Sequence, residues 1–326
     1  MPRLTVRRES WPLAQPFVIS RGSRTTAEVV VVELVAGPHR GRGESVPYSR
    51  YGETVEGVVA AIETLVPAVG EGLDRAALQM ALRPGAARNA LDAAFWDLEA
   101  KTSGKSVSRL AGVAPPRPVV TAYTLSLADP EAMGRAAAEQ ANRPLLKLKL
   151  TGEGDLERVR AVRAAAPASR LIVDANEGWK PEHFESYSSA LAELGVALIE
   201  QPLPAGHDDA LARMPHPVPV CADESCHTSE DLDALVGKYE VVNVKLDKTG
   251  GLTEALSLVR AARAKGFQLM VGCMVGTSLA MAPACFLAED AQFVDLDAPL
   301  LLAKDRQPGL RYDGSTVYPP KPALWG

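Results

Sequence analysis

LLKLKL, residues 145–150, sets two lysines two positions apart in an otherwise apolar run. Side chains alternate faces along a strand, so Lys147 and Lys149 share one side, with Leu146, Leu148 and Leu150 on the other. On an open sheet edge these would be solvated lysines. The sequence that follows argues for a closed ring instead. Strand-like runs recur at 119–124, 171–174, 198–200, 220–223, 241–246, 269–272 and 293–297. Helical patterns fill the intervals, among them Asp155–Ala165, Pro181–Leu194, Ser229–Val236 and Thr253–Lys265. Eight short strands alternating with helices predict a parallel α/β barrel, in which no edge remains for solvated lysines.

Upstream the pattern differs. Leu4–Glu9 and Glu28–Leu34 (EVVVVEL) are rich in β-branched residues and read as antiparallel strands, with the polar, glycine-containing stretch Gln15–Thr26 between them. Val55–Val66, Arg75–Leu82 and Ala86–Thr102 read as helices, the last carrying Leu91, Ala94, Phe95 and Leu98 at helical spacing and stopped by Gly104. Strands followed by helices predict a small α+β domain over 1–113. APPRP at 114–118 cannot continue a helix and marks the boundary. The barrel is expected over 114–300, and the proline-rich segment 301–326 to return to the cap.

The composition excludes several functions. With a net charge of −5 and no basic stripe, nucleic-acid binding is not expected. No apolar run is long enough to span a membrane, and the arginine-rich start lacks the features of a signal peptide. Cys221, Cys226, Cys273 and Cys285 form no CxxC pair, which suggests reduced, mostly buried thiols and a cytoplasmic protein.

One ionisable group ends each of five successive strands: Lys149, Asp174 (LIVDANEGW), Glu200 (LIEQPLP), Asp223 (CADES) and Lys245 (VVNVKLDKTGG). The intervals of 25, 26, 23 and 22 residues are one βα unit each, so all five reach the same rim, where barrel active sites form. Each acid alone could cap a helix. Three together, without cysteine or histidine, form a hard-oxygen site suited to Mg²⁺. Lys147 and Lys149 on one face would lower each other's pKa and help one act as a base. Lys245, four strands from Lys149, falls on the opposite side of the ring. A metal-bound substrate carboxylate would then have a lysine on each side of its α-carbon. That arrangement suits proton removal from one face and delivery to the other, with the metal stabilising the enediolate.

KLK, DANE, EQP, ADES and NVKLDKTGG together resemble the enolase superfamily, in its muconate-lactonising-enzyme branch. WPLAQPFVISRGSRTTAEVVVVEL (11–34), ESVPYSRYGET (44–54), GAARNALDAAFWDLEA (85–100), ADESCHT (222–228) and DLDAP (295–299) are similar to its dipeptide epimerases of the L-Ala-D/L-Glu type. The resemblance covers essentially the whole chain. It implies a modified TIM barrel, (β/α)7β, with an N-terminal α+β capping domain. It implies that Asp174, Glu200 and Asp223 ligate Mg²⁺, that Lys149 and Lys245 are paired acid/base groups, and that Lys147 lowers the pKa of Lys149 and stabilises the enolate. Asp295 and Asp297 would receive a dipeptide's ammonium, and Arg24, in a mobile loop, its distal carboxylate. Murein peptide recycling and a homo-oligomer are further implications. N-acylamino-acid racemisation or cycloisomerisation remains the alternative within the branch, and a non-catalytic ligand-binding barrel lies outside it.

From the residues themselves, Asp295 and Asp297 share a strand face by period 2, and two unpaired carboxylates there need a cation. GCMVGTS at 272–278, with Gly272 and Cys273, is expected to let a substrate backbone approach closely. Gly250-Gly251 could cradle an anion. His207, His216 and His227 have no partners at ligand spacing and are expected at the surface or behind the site.

Overall fold

The computed structural model describes residues 2–326. Three antiparallel strands open the chain: β1 (Arg3–Ile19), β2 (Gly22–Ala36) and β3 (His39–Ser45). β1 and β2 are longer than the sequence patterns indicated. They run through the polar stretch to a tight turn at Ser20-Arg21, pairing Ile19 with Gly22. Val29 to Val32 are fully buried on both faces of the sheet. Val30, Val32 and Leu34 pack on helices of this region, while Val29 and Val31 join the core shared with the barrel. Alternation along one strand thus fixes the cap sheet between two apolar layers.

Helices Val55–Glu63, Val66–Glu71, Arg75–Ala81, Ala86–Ser103 and Val107–Ala111 follow. Helix Ala86–Ser103 buries residues all round its axis, as a helix enclosed by sheet and barrel should. It approaches β3 closely. A Cβ at Gly41 would stand 2.2 Å from Ala94 O, and one at Gly43 2.0 Å from Ala90 O.

The run expected at 119–124 divides. β4 (Val119–Val120) joins a small sheet with β13 (Tyr312–Asp313) and β14 (Thr316–Val317) near the chain's end. β5 (Tyr123–Leu125) starts the parallel ladder. It continues through β6 (Leu145–Lys149), β7 (Arg170–Asp174), β8 (Val196–Glu200), β9 (Val220–Ala222), β10 (Val241–Val244), β11 (Gln268–Val271) and β12 (Phe293–Val294). The two ends meet where Ala122 N–H donates to Val294 O at 2.8 Å and Leu296 N–H to Thr121 Oγ1 at 2.8 Å. The ladder therefore curls into the expected α/β barrel.

Inside, Ala122, just before β5, and one residue from each of the seven strands β6 to β12 form an apolar floor: Leu145, Ile172, Leu198, Cys221, Val241, Met270 and Phe293. The next inward positions, two residues on, are Thr124, Lys147, Asp174, Glu200, Asp223, Asn243, Gly272 and Asp295. Period 2 puts the polar ring on the apolar one, so the site is bedded on packed side chains. Beyond the barrel the chain returns to the cap: Arg42 donates to Leu324 O at 2.6 Å, and Trp325 Nε1 to Ala93 O at 3.0 Å.

Candidate active site

A cavity of about 380 Å³ opens above the polar ring, beneath the β1–β2 hairpin. Lys147, Lys149, Asp223, Lys245, Cys273, Asp295, Asp297 and Arg24 line it. Gly272 does not.

The acids and lysines interlock. Lys147 Nζ lies 2.7 Å from Glu200 Oε2, 2.7 Å from Asp295 Oδ2 and 3.4 Å from Asp174 Oδ2. Lys149 Nζ donates to Asp174 Oδ2 and Lys245 Nζ to Asp223 Oδ2, each at 2.6 Å. All three lysines are buried, so these are not edge lysines. β6 and β10 stand four strands apart in a ring of eight, and between them lie β7 and β8, which end on Asp174 and Glu200, and β9, which Asp223 follows.

For Lys147 the expected lowering by its neighbouring lysine is not what the ring produces. Burial alone would lower Lys147, but Asp295, Glu200 and Asp174 outweigh it and hold its pKa well above the ordinary lysine value. Lys245 is likewise raised, against burial, by Asp223 and Glu200. Carboxylates, not lysine–lysine repulsion, dominate the ring. In return, and against burial, Lys149, Lys147 and Lys245 draw Asp174 down to about 2. Asp223 falls well below the carboxylate range, since Lys245 and Lys248 outweigh its burial. Glu200 moves up, through burial and then its neighbour Asp174.

Asp295 and Asp297 do not sit on a regular strand, because β12 ends at Val294. Both remain buried. Asp295 Oδ2 pairs with Lys147 while its Oδ1 stays unpartnered, and Asp297 Oδ2 accepts from Thr124 N–H at 2.6 Å, a backbone donor rather than a cation. Burial, then Asp295, pushes Asp297 up to about 7. Arg24 lies not in a loop but on β2, opposite Phe17, with its guanidinium 5.0 Å from the Tyr48 ring centre. Its neighbour Arg21 is the one tied across to the barrel, donating to Glu224 Oε1 (2.6 Å) and Asn176 O (2.6 Å), and within the cap to Tyr48 Oη (2.9 Å).

Gly272 serves a neighbour. A Cβ there would stand 2.6 Å from Asn243 Oδ1, and Asn243 Nδ2 donates to Glu200 Oε1 at 2.7 Å. The glycine makes room for the amide that orients Glu200. Gly250-Gly251 is no anion cradle either: Cβ atoms there would meet Arg88 Nε and the Asp92 side chain at 2.5 Å, so the pair lets helix Ala86–Ser103 approach. His207 is exposed, His216 pairs with Glu240 at 2.9 Å, and His227 stacks edge-on against Tyr51. Cys273 carries a thiol raised by burial and by Asp295.

Several members of the site escaped the sequence patterns. Lys248 Nζ binds Asp223 Oδ1 at 2.7 Å and Asn243 O at 2.9 Å. Gln201 Oε1 accepts from Asp223 N–H at 2.8 Å. Glu224, raised to about 7 by burial and Asp223, keeps Oε2 unpartnered. Asn243, a lone amide within an apolar strand, was the one legible signal.

Three carboxylates on adjacent strands are hard-oxygen donors suited to a divalent cation. Glu200 Oε2, buried, accepts no well-formed hydrogen bond although Lys147 is near. As placed, no three such side chains among the described residues are set to hold a metal ion, because the lysine ammonium groups hold the acids' oxygens. By the chemistry of the donor set the three acids fit such an ion.

A barrel closed on an apolar floor, with acids flanked by lysines at its rim and a strand-and-helix cap over the mouth, defines an enolase-type enzyme. The chain belongs to the mandelate racemase/muconate lactonizing enzyme family of the enolase superfamily: residues 1–112 match that family's N-terminal domain and residues 131–321 the enolase C-terminal domain-like family. It is 51% identical to the L-Ala-D/L-Glu epimerase of Escherichia coli (strain K12), over 96% of this chain and 98% of that one. It is 46% identical to an N-acetyl-D-glutamate racemase of a Pseudoalteromonas species, over 91% of this chain and 95% of that one. Among solved structures, an enolase family member from Agrobacterium tumefaciens with homology to dipeptide epimerases, bound to sodium and L-Ala-L-Glu with an ordered loop, superposes with a TM-score of 0.98. The two are 55% identical, and each chain is fully covered.

Proposed function

We propose that the protein is a dipeptide epimerase of the L-Ala-D/L-Glu type, working by 1,1-proton transfer at the α-carbon of the C-terminal residue. The observation that carries the reading is the placement of Lys149 and Lys245 half a ring apart, flanking three strand-end carboxylates. Asp174, Glu200 and Asp223 would hold Mg²⁺. That ion would supply positive charge to offset what gathers on the substrate carboxylate when the α-proton leaves.

The chain's own groups do the rest. One of Lys149 and Lys245 takes the α-proton from its face while the other delivers a proton to the opposite face, and the roles exchange for the reverse epimer. As placed, Lys245 is held charged, the state that donates. Lys147, enclosed by acids, stays an ammonium and stabilises developing negative charge. Asp295 and Asp297 line the place for the dipeptide's ammonium, and Arg24, on the cavity wall, faces the distal carboxylate. Cys273 contacts the substrate, while Gly272 acts through Asn243. We further read the chain as a 1–113 cap, a 114–300 barrel and a 301–326 returning segment. A cytoplasmic, homo-oligomeric enzyme of murein peptide recycling rests on the family resemblance alone.

Incubation with L-Ala-L-Glu and Mg²⁺ in D₂O tests this. One deuteron should enter the glutamate α-carbon as both epimers appear, and Lys149→Ala and Lys245→Ala should each slow epimerisation by about 10²–10⁴-fold without loss of fold. Near-normal activity in either variant would overturn the two-base scheme. The likeness to an N-acetyl-D-glutamate racemase favours a second reading, N-acylamino-acid racemisation. Exchange with N-acetylglutamate and none with any dipeptide would establish it instead.

A further inference from the structure

Lys245 is the last residue before a helix of one turn, Leu246–Thr249. Four helical residues cannot hold their own shape, because the nucleus costs more than one turn of hydrogen bonds returns. Two sets of bonds fix this turn: Lys248 ties it to the barrel through Asp223 Oδ1 and Asn243 O, and a second set comes from the cap. Asp247, a buried carboxylate, accepts on Oδ1 from Val46 N–H at 2.9 Å and from Asn89 Nδ2 at 2.8 Å. Arg88 Nη2 donates to Thr249 O at 2.6 Å and its Nε to Gly250 O at 3.1 Å. Val46 follows β3, and Arg88 and Asn89 lie on the first turn of helix Ala86–Ser103.

The backbone after Lys149 is held otherwise. Leu150 N–H donates to Asp174 O at 2.8 Å, and Gly152 N–H to Asp155 Oδ2 at 2.6 Å. Both partners belong to the barrel. The backbone that carries Lys245 therefore has a cap anchor in addition to its barrel anchors, whereas the bonds after Lys149 run to the barrel groups Asp174 and Asp155.

We propose that Asp247 is a positioning residue for Lys245: through Val46 and Asn89 it lets the cap help set the backbone of one of the two bases, a tie that the backbone bonds after Lys149 do not make. The inference rests on the two-base reading above. It predicts a one-sided defect. A base misplaced by an ångström loses on the order of 10²-fold in rate, and only the face it serves should feel the loss.

Deuterium wash-in from D₂O is measured separately from L-Ala-L-Glu and L-Ala-D-Glu at early times, with Mg²⁺ present, for Asp247→Ala, Asn89→Ala and Asp247→Asn. Asp247→Ala should slow exchange by about 10- to 100-fold from one epimer, the same one that Lys245→Ala silences, with a change under about threefold from the other. Asn89→Ala should show a weaker loss on the same side, and carries the test should Asp247→Ala fail to fold. Asp247→Asn, which keeps an acceptor oxygen for Val46 N–H, should restore most of the rate. Equal losses from both epimers, or no loss, overturn the proposal. Should the unsubstituted protein exchange neither dipeptide, the epimerase reading falls and the positioning claim is judged on the amines directly. Reductive methylation with formaldehyde and cyanoborohydride, scored by peptide mass, should then show the Lys245-to-Lys149 labelling ratio changed several-fold by Asp247→Ala. An unchanged ratio refutes it.

Discussion

A methyl group added at Gly272 would press on Asn243 and lift its amide from Glu200. We expect Gly272→Ala to cost about 1–3 kcal/mol of stability by overpacking. It should also weaken Mg²⁺ binding in calorimetry, and unchanged affinity would separate Asn243 from the metal site. Asp297 gives a pH signature. Its carboxyl sits near 7, so it is largely neutral below that and charged above. An ammonium partner gains only from the charged form, so KM for dipeptides should fall as pH rises through about 7. N-acetylglutamate should show no such fall, and Asp297→Asn should flatten the dipeptide profile. At this scale the acids and lysines were readable because each ends an apolar strand in a repeating unit. Lys248, Gln201 and the purpose of Gly272 were not, since their partners sit on other strands. Even the upward shift of Lys147 draws on Asp295, 148 residues away, together with Glu200 and Asp174.

Helix Ala86–Ser103 lies on β3 through two glycines, and a side chain at either would strike its backbone carbonyls. Gly43→Ala should therefore cost about 3 kcal/mol, visible as a lower urea midpoint with an unchanged slope. A loss below about 0.5 kcal/mol would mean the helix can move away freely. Elements with one strong period were legible: Asp155–Ala165 was expected and is observed, and Ala86–Thr102 extends by one residue. The hairpin formed by β1 and β2 was not fully legible, because it reaches past the core as a ribbon with little apolar alternation to reveal it. The split at 119–124 was equally silent: Val119 and Val120 pair with a strand nearly two hundred residues on.

The last residues join the molecule's two halves. Trp325 is almost fully buried, bonded to Ala93 O and edge-on to Phe286. Trp325→Ala should cost about 3–5 kcal/mol, read as a lowered thermal midpoint. A shift no larger than that of an exposed substitution would show the tail to be dispensable. The sequence suggested a returning tail from its prolines, but not the acceptor it would find. Ring closure was implied by strand count, whereas the seam between Ala122 and Val294 joins residues that no local pattern marks. The eight-residue apolar floor has a consequence for traffic. A packed apolar layer gives a charged ligand no polar path through the bottom of the ring, so traffic is confined to the capped end, where on the proposed reading each departing epimer would vacate the same doorway its successor needs.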